Sequence, residues 1–330
     1  METTTISPGD AATEIWDSVI IGGSAAGLSA GLVLARARFS SLVVDNGAPR
    51  NSPAAQMHGY LTRDGMAPRD FVAAGQHELA GYGASIVQAT ATEAARAADG
   101  TFALRLADGR TVGARSLLVA TGLTDELPEI PGLVDGWATV VHHCPHCHGY
   151  EVRDRKIVVI GSTMGPLSAH LAALMRRQSA SVTFCVNGAD VDEAELQRLS
   201  AYGVTVIDAR VERVSTDGSA GDDGSRVVVE LGTGESLTCA AIFVAPRPAP
   251  HDTVLTTLGA RTDPATGLVA VDPSGATSIN GLWAAGNVVN PRAQVIAAAG
   301  AGSAAGIAMS SWLLERELSA AIAVSWGEVR

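Results

Sequence analysis

The stretch DSVIIGGSAAGLSAGLVLARA, from Asp17 to Ala37, decides the fold. Val19 to Ile21 read as a short apolar strand, Gly22 to Gly27 as a turn, and Leu28 onward as a helix of small residues. In such a unit the glycines let a pyrophosphate approach the backbone, and the free N–H groups and dipole of the helix N-terminus favour the anion. The dinucleotide fingerprint has glycine at its first, third and sixth positions. Here these are Gly22, Ser24 and Gly27, so the middle position departs. A second strand, SLVVD, ends at Asp45, where an acid can bind a ribose 2′-hydroxyl.

Working outward, RKIVVIGSTMGPLSAHLAALMRR (Arg155 to Arg177) repeats the strand–turn–helix pattern with a poorer phosphate loop. Gly161, Thr163 and Pro166 stand where three glycines belong. Thr163 puts a β-branched side chain at the phosphate approach, and Pro166 removes an N–H donor. The next strand, SVTFCV, ends in Asn187-Gly188, with neither an acid for an NAD ribose nor an arginine cluster for an NADP 2′-phosphate. This unit has a nicotinamide-nucleotide shape without the contacts. Between and after the two units come strands in TFALRLADGRTVGARSLLVATG (Thr101 to Gly122), a hairpin tip at Asp217 to Ser225, and a strand, Gly-Asn turn and small-residue helix from Gly281 to Leu314.

At 330 residues the chain is long enough for two domains with full cores. The expected fold is α/β, with two Rossmann-like three-layer nucleotide-binding domains. The first is discontinuous, residues 1–123 and 245–330, and the second spans 124–244. The net charge of −11 leaves no basic field for nucleic acid or an anionic membrane. No apolar run reaches the roughly 18–20 residues of a bilayer span. The polar start METTTISPGDAATE lacks the layout of a secretion signal, so a cytoplasmic location is expected. Cys185 and Cys239 lie singly in apolar runs and read as buried strand residues.

The remaining cysteines sit in HHCPHCHGYE, residues 142–151. Cys144 and Cys147 could be half of a metal site, a structural disulfide or a redox dithiol. Zinc is disfavoured, because structural sites draw ligand pairs from separated segments and four ligands within a few residues give poor tetrahedral geometry; no metal is expected. Structural disulfides are rare in the cytoplasm. Two intervening residues let the sulfurs bridge each other, and thiol–disulfide exchange needs an attacking and a resolving thiol. The pair therefore reads as a working redox dithiol. His148 directly follows it, and imidazole titrates near neutrality, suiting it to accept protons from a thiol. A capping or packing role for His148 stands beside that reading, and His142, His143 and His146 read equally well as loop histidines. Glu151 is either a partner that orients His148 or a surface carboxylate.

GGSAAGLSAG, VVDNGAPRN, VATG, CPHCHGYE, a second βαβ unit and AAGNVVNPRAQV occur in the order found in low-molecular-weight thioredoxin reductases. The sequence resembles that family over nearly its whole length. Its CPxCHGYE form most resembles the flavin-dependent dithiol oxidases of gliotoxin and holomycin type. The resemblance implies FAD, a redox-active CxxC, a homodimer, and electron transfer from a small-molecule dithiol to O2 without a need for NAD(P)H. Carried over by position, Gly22, Gly23, Ser24, Ala25 and Gly27 cradle the FAD pyrophosphate and Asp45 holds the adenosine ribose. Asn46, Gly47, Ala48, Pro49, Arg50 and Asn51 follow the nucleotide. His58 is a loop contact, Ala120 lies beneath the adenine half, Gly286 and Asn287 meet the ribitol chain, and Gln294 and Val295 reach the isoalloxazine. Asn287 stands where the reductases have aspartate. Cys147 is then the flavin-side sulfur and Cys144 the substrate-side one, with His148 at the place of an aspartate acid/base. Lys156 is the only lysine, which reads as the coding bias of a GC-rich bacterial genome and favours a holomycin-like dithiolopyrrolone as substrate. The competing expectations are a thioredoxin reductase with unusual NADPH contacts or another electron donor, and a flavin- or dithiol-binding sensor.

Overall fold

A computed structural model describes residues 14–216 and 227–327. The expected tip at Asp217–Ser225 lies outside the described residues. The chain runs β1 (Ile15–Ile21), α1 (Ala25–Arg36), β2 (Ser41–Asp45), α2 (Pro68–Gly81), β3 (Ser85–Gln88), β4 (Ala91–Arg96), β5 (Phe102–Leu106), β6 (Thr111–Val119) and β7 (Leu123–Glu126). Then follow β8 (Val141–His142), α3 (Pro145–His148), β9 (Ile157–Ile160), α4 (Gly165–Gln178), β10 (Val182–Cys185), α5 (Glu193–Ala201), β11 (Thr205–Ile207), β12 (Val211–Thr216), β13 (Val227–Leu231), β14 (Ser236–Cys239) and β15 (Ala241–Val244). The last elements are β16 (Arg247–Pro250), α6 (Thr253–Thr257), β17 (Leu282–Ala284) and α7 (Val295–Gly327).

One sheet has the order β3-β2-β1-β6-β5-β4, with β17 also on β6; a second, parallel sheet has the order β11-β10-β9-β15-β8. Strands of the first sheet come from both ends of the chain, and those of the second from between them. β7 and β16 pair antiparallel where the chain crosses between the sheets, so the expected boundary at 123/124 falls inside β7. Successive side chains of a strand point to opposite faces, and both faces of these sheets are apolar. Val19 and Ile21 pack with Leu117, Val119 and Phe102 on one face, while Ile20 packs with Val43, Leu118 and Trp283 on the other. In the second sheet Val158 and Ile160 pack opposite to Ile157 and Val159. Cys185 and Cys239 are buried in this second core, and burial pushes both thiols up to about 12.

Helix α7 corrects one expectation. Its Val295–Ile322 stretch is long and apolar enough, by length and composition, to cross a bilayer. Counting uninterrupted apolar side chains missed it because glycines and serines interrupt the run. One face of α7 lies against α1, at a distance only glycine permits: a Cβ on Gly302 would sit 1.9 Å from the Ala26 carbonyl oxygen. Another face leaves Ile307, Leu314, Leu318 and Ile322 exposed.

This contact makes a paired prediction. Gly302→Ala forces α7 away from α1 and costs about 1–3 kcal/mol by overpacking. Gly300→Ala, where a Cβ meets nothing within 4 Å, gains up to about 1 kcal/mol from helix propensity. Urea unfolding midpoints of the two variants should move in opposite directions.

Candidate active site

The first turn of α1 is shaped by missing side chains. Gly22 has φ 105°, and a Cβ there would lie 2.3 Å from the Ala120 carbonyl oxygen. A Cβ on Gly27 would lie 1.8 Å from the Gly22 carbonyl oxygen, and one on Gly23 would strike the Asp45 carboxyl group. Ser24 has φ −106°, an ordinary value for any residue, so the backbone conformation itself does not demand glycine there. It is the N-cap of α1, its side chain makes no capping hydrogen bond, and the first turn holds no acidic residue. The backbone donors there are left for an anion. The Gly23 N–H donates to Asp45 Oδ1 at 3.0 Å, which fixes the acid beside the loop.

A cavity opens from this turn toward the redox pair. Ser24, Ala25, Pro49, Arg50, Asn51, His58, Ala120, Gly286, Asn287, Gln294 and Val295 line it, together with Cys147 and His148. Gly22, Gly23, Gly27, Asp45, Asn46, Gly47, Ala48 and Cys144 are not in its lining. Asn46 and Ala48 instead border an adjoining groove with Pro49, Arg50 and Trp137. Gly47 makes the turn after β2 with φ 77°, and Asn46 Oδ1 accepts from the Ala48 N–H at 3.1 Å. Gln56, Met57, Trp137, Val141 and Ala293 also line the cavity. They stand in loops or beside motifs and carry no spacing signal, although the scarcity of tryptophan could have marked Trp137.

Asn287 has a structural reason to be an amide. Its Nδ2 donates to the carbonyl oxygens of Asn290 at 3.0 Å and Ala293 at 2.9 Å, bracing the turn that enters α7. An aspartate has no donor to offer these oxygens.

Cys144 and Cys147 form a disulfide, with their Cα atoms 5.2 Å apart. Cys144 is the N-cap of the single turn α3, with Pro145 at its first position. The Cys147 sulfur lies 3.9 Å from Gln294 Nε2. Beneath the pair, the His142 and His148 rings stack at 4.4 Å with 14° between planes. The Nδ1 atoms of both are buried without a protein partner. His143 stacks on Trp137 at 5.6 Å, and His146 is exposed. Burial, with His148 and His143 nearby, lowers His142 to about 3. Burial lowers His143 to about 4, with Asp125 opposing and Arg50 assisting. Burial also lowers His148, which Glu151 partly offsets. Glu151 itself lies 3.5 Å from His58 Nε2, and His58 Nδ1 is 3.3 Å from Asp64. The carboxylate pairs with His58 and acts on His148 only through its field.

The second βαβ unit packs its loop glycines against backbone as the first does. A Cβ on Gly161 would lie 2.1 Å from the Val186 carbonyl oxygen, and one on Gly165 2.0 Å from that of Asp190. Asn187, at the position for a ribose-binding acid, donates to the Gly161 carbonyl oxygen at 3.0 Å and accepts from the Val211 N–H at 3.0 Å. Arg210, which the sequence reading missed, donates to the Asn187 carbonyl oxygen at 3.2 Å.

A fold of two parallel-centred nucleotide sheets with a CxxC disulfide at the cavity of the first is that of a disulfide oxidoreductase. A family model described as pyridine nucleotide-disulphide oxidoreductase matches residues 16–303, and the chain belongs to that family. It is an oxidoreductase with the thioredoxin reductase-like fold, and its cofactor is FAD. The crystal structure of HlmI superposes with a TM-score of 0.90 at 40% identity, covering 96% of this chain and 98% of that one. Thioredoxin reductase tcpT of Claviceps purpurea is 32% identical over 238 residues, 68% of this chain and 71% of that protein. Thioredoxin reductase aclD of Aspergillus oryzae is 35% identical over 193 residues, 56% of this chain and 61% of that protein. The resemblance read from the motifs is borne out. The turn of small residues at Gly22–Gly27 and the unpartnered imidazole nitrogens at the other end of the cavity fit a dinucleotide flavin.

The histidines have a consequence for stability. His142 and His143 are neutral when folded and titrate near 6.5 when unfolded, so between about pH 6.5 and 4 the unfolded chain binds more protons. Stability is therefore full above pH 6.5 and falls as the pH drops toward 4. The urea midpoint should decline over that window, and His142→Phe, which keeps a flat ring, should reduce the decline.

Proposed function

We propose that the protein is an FAD-dependent dithiol oxidase that closes an intramolecular disulfide in a small-molecule dithiol. One observation carries the reading: a disulfide stands at the cavity of the FAD-type unit, while the second unit has Thr163 and Pro166 in its loop and, at the ribose position, Asn187 spent on backbone partners. Electrons then have an entrance through sulfur and a poor one through a pyridine nucleotide.

In the mechanism, a substrate thiol loses its proton and attacks Cys144. The Cys144–Cys147 bond breaks, a mixed disulfide forms, and Cys147 departs as the thiolate. The second substrate thiol, deprotonated in turn, attacks the substrate sulfur bound to Cys144, so the substrate leaves as a disulfide and Cys144 as a thiolate. The substrate has lost two electrons and two protons, and the enzyme pair has gained the electrons. His148 is the base: it lines the cavity, follows Cys147 directly, and its lowered pKa keeps it neutral and able to accept a proton. Cys147 faces Gln294, which supports its role as the flavin-side sulfur, with Cys144 left for the substrate. Gly22, Gly23, Ser24, Ala25 and Gly27 would hold the pyrophosphate, Asp45 the ribose, and Gly286, Asn287, Gln294 and Val295 the ribitol and ring. FAD supplies the two-electron acceptor that restores the disulfide, with O2 as final acceptor giving H2O2. The exposed apolar row on α7 supports assembly as a homodimer, and a dithiolopyrrolone is the favoured substrate class.

A second reading, an NADPH-dependent reductase of a disulfide partner, is favoured by Arg210 beside Asn187, a cation within reach of a 2′-phosphate. Anaerobic titration separates the two. A dithiol should bleach the bound flavin rapidly and NADPH slowly or not at all; rapid bleaching by NADPH, with no peroxide from dithiol and O2, favours the reductase. For the base, His148→Gln should lower kcat by about a hundredfold or more. Wild-type activity should fall as acid protonates His148, at a pH below the usual imidazole range, and the variant should lose that limb.

A further inference from the structure

We propose that Arg50 is a positioning residue for this sulfur chemistry: its guanidinium anchors the segment that enters the disulfide and holds His143 as a neutral Nδ1–H tautomer outside the proton path. The inference rests on the dithiol-oxidase reading above.

Arg50 lies in the loop after β2 and lines the cavity, which made it a candidate nucleotide contact. Its head group is committed to protein instead. Nε and one terminal nitrogen donate to the two oxygens of Asp125 at 2.8 and 2.7 Å, the bidentate geometry that a planar fork allows. The other terminal nitrogen donates to the Pro291 carbonyl oxygen at 3.0 Å. The nitrogen that serves Asp125 also faces His143 Nε2 at 3.4 Å. Four separate parts of the chain thus meet on one cation: the loop after β2, the crossing strand β7, the turn before α7, and the residue before Cys144. Side-chain exposures of 19% for Arg50 and 6% for Asp125 put the pair largely out of water, where loss of one partner strands the other charge.

The consequence for His143 follows from donor chemistry. A guanidinium only donates, so the nitrogen facing it must carry the lone pair, and the ring proton sits on Nδ1. Asp125 on β7 is the anion on that side, and its charge is matched by Arg50. His142 and His148, from its own segment, and the face of Trp137 complete the surroundings. A neutral ring held in one tautomer cannot cycle a proton. Its use is to fix the chain entering Cys144, and placement errors of about 1 Å cost about a hundredfold in such reactions.

The first test is histidine tautomer assignment by 15N NMR on the intact flavoprotein. His143 should be the Nδ1–H form from about pH 5.5 to about pH 8, and in Arg50→Lys it should titrate or change tautomer. A wild-type His143 protonated on Nε2, or titrating within that range, overturns the proposal. The second test is anaerobic stopped-flow reduction of the flavin by dithiothreitol, with sodium dithionite as control. Arg50→Lys and Asp125→Asn should keep their flavin, reduce at the wild-type rate with dithionite, and slow about tenfold or more with the dithiol. His143→Gln, which can still accept from Arg50, should stay within about threefold of wild type, well above the Arg50 variant. Wild-type dithiol rates in both Arg50→Lys and Asp125→Asn, loss of flavin from them, or collapse of His143→Gln each overturn it. A wild-type enzyme that dithiols do not reduce sinks the oxidase reading instead, and the tautomer measurement is independent of that result.

Discussion

Backbone lies directly on backbone along the seam between β1, α1 and α7, and the absence of Cβ atoms at Gly22, Gly27 and Gly302 is what lets it. Each contact would fall near or below 2.3 Å if a methyl group were added. The same closeness brings the first turn of α1 next to the 286–295 turn, so that two ends of the chain wall one cavity. The residues of that turn are all small, which leaves room there for the proposed pyrophosphate. Everything further out, including the seat of the disulfide, is placed relative to this seam.

At the far end of the cavity the logic reverses, and side chains crowd together. Three histidines with lowered pKa values surround the redox pair, and burial is the first cause for each. Neutral imidazoles suit a site that must receive protons from thiols without repelling them. The His142 ring stacks on His148, and the nearby His148 adds to the lowering of His142 that burial causes. His58 and Glu151 tie the loop before α2 to the residues after the CxxC across the same cavity.

The two nucleotide-type units show how one motif diverges physically. In the first, glycines leave a cradle with unclaimed donors. In the second, glycines at 161 and 165 meet the carbonyls of Val186 and Asp190 much as those of the first meet Ala120 and Gly22, and the difference lies in Thr163 and Pro166 within the loop. Asn187 uses both ends of its amide on backbone partners.

By itself the sequence determined both strand–turn–helix units, the apolar runs of their strands, the pairing of Cys144 with Cys147, and part of the cavity lining, from Ser24 and Ala25 to Gln294 and Val295. These are local signals: short continuous apolar runs, glycines at fixed offsets, two cysteines close enough to bridge. The structure gives one departure a local reason, since Asn287 supplies a donor that aspartate lacks. Only the tertiary structure decided how the four histidines of one short stretch divide into a stacked pair, a ring between Arg50 and Trp137, and an exposed ring. It alone assigned Arg50 to Asp125, Glu151 to His58, and one face of the apolar helix α7 to α1. Those outcomes depend on contacts between residues up to 241 positions apart, and no spacing pattern along a chain encodes the distance between such residues in space.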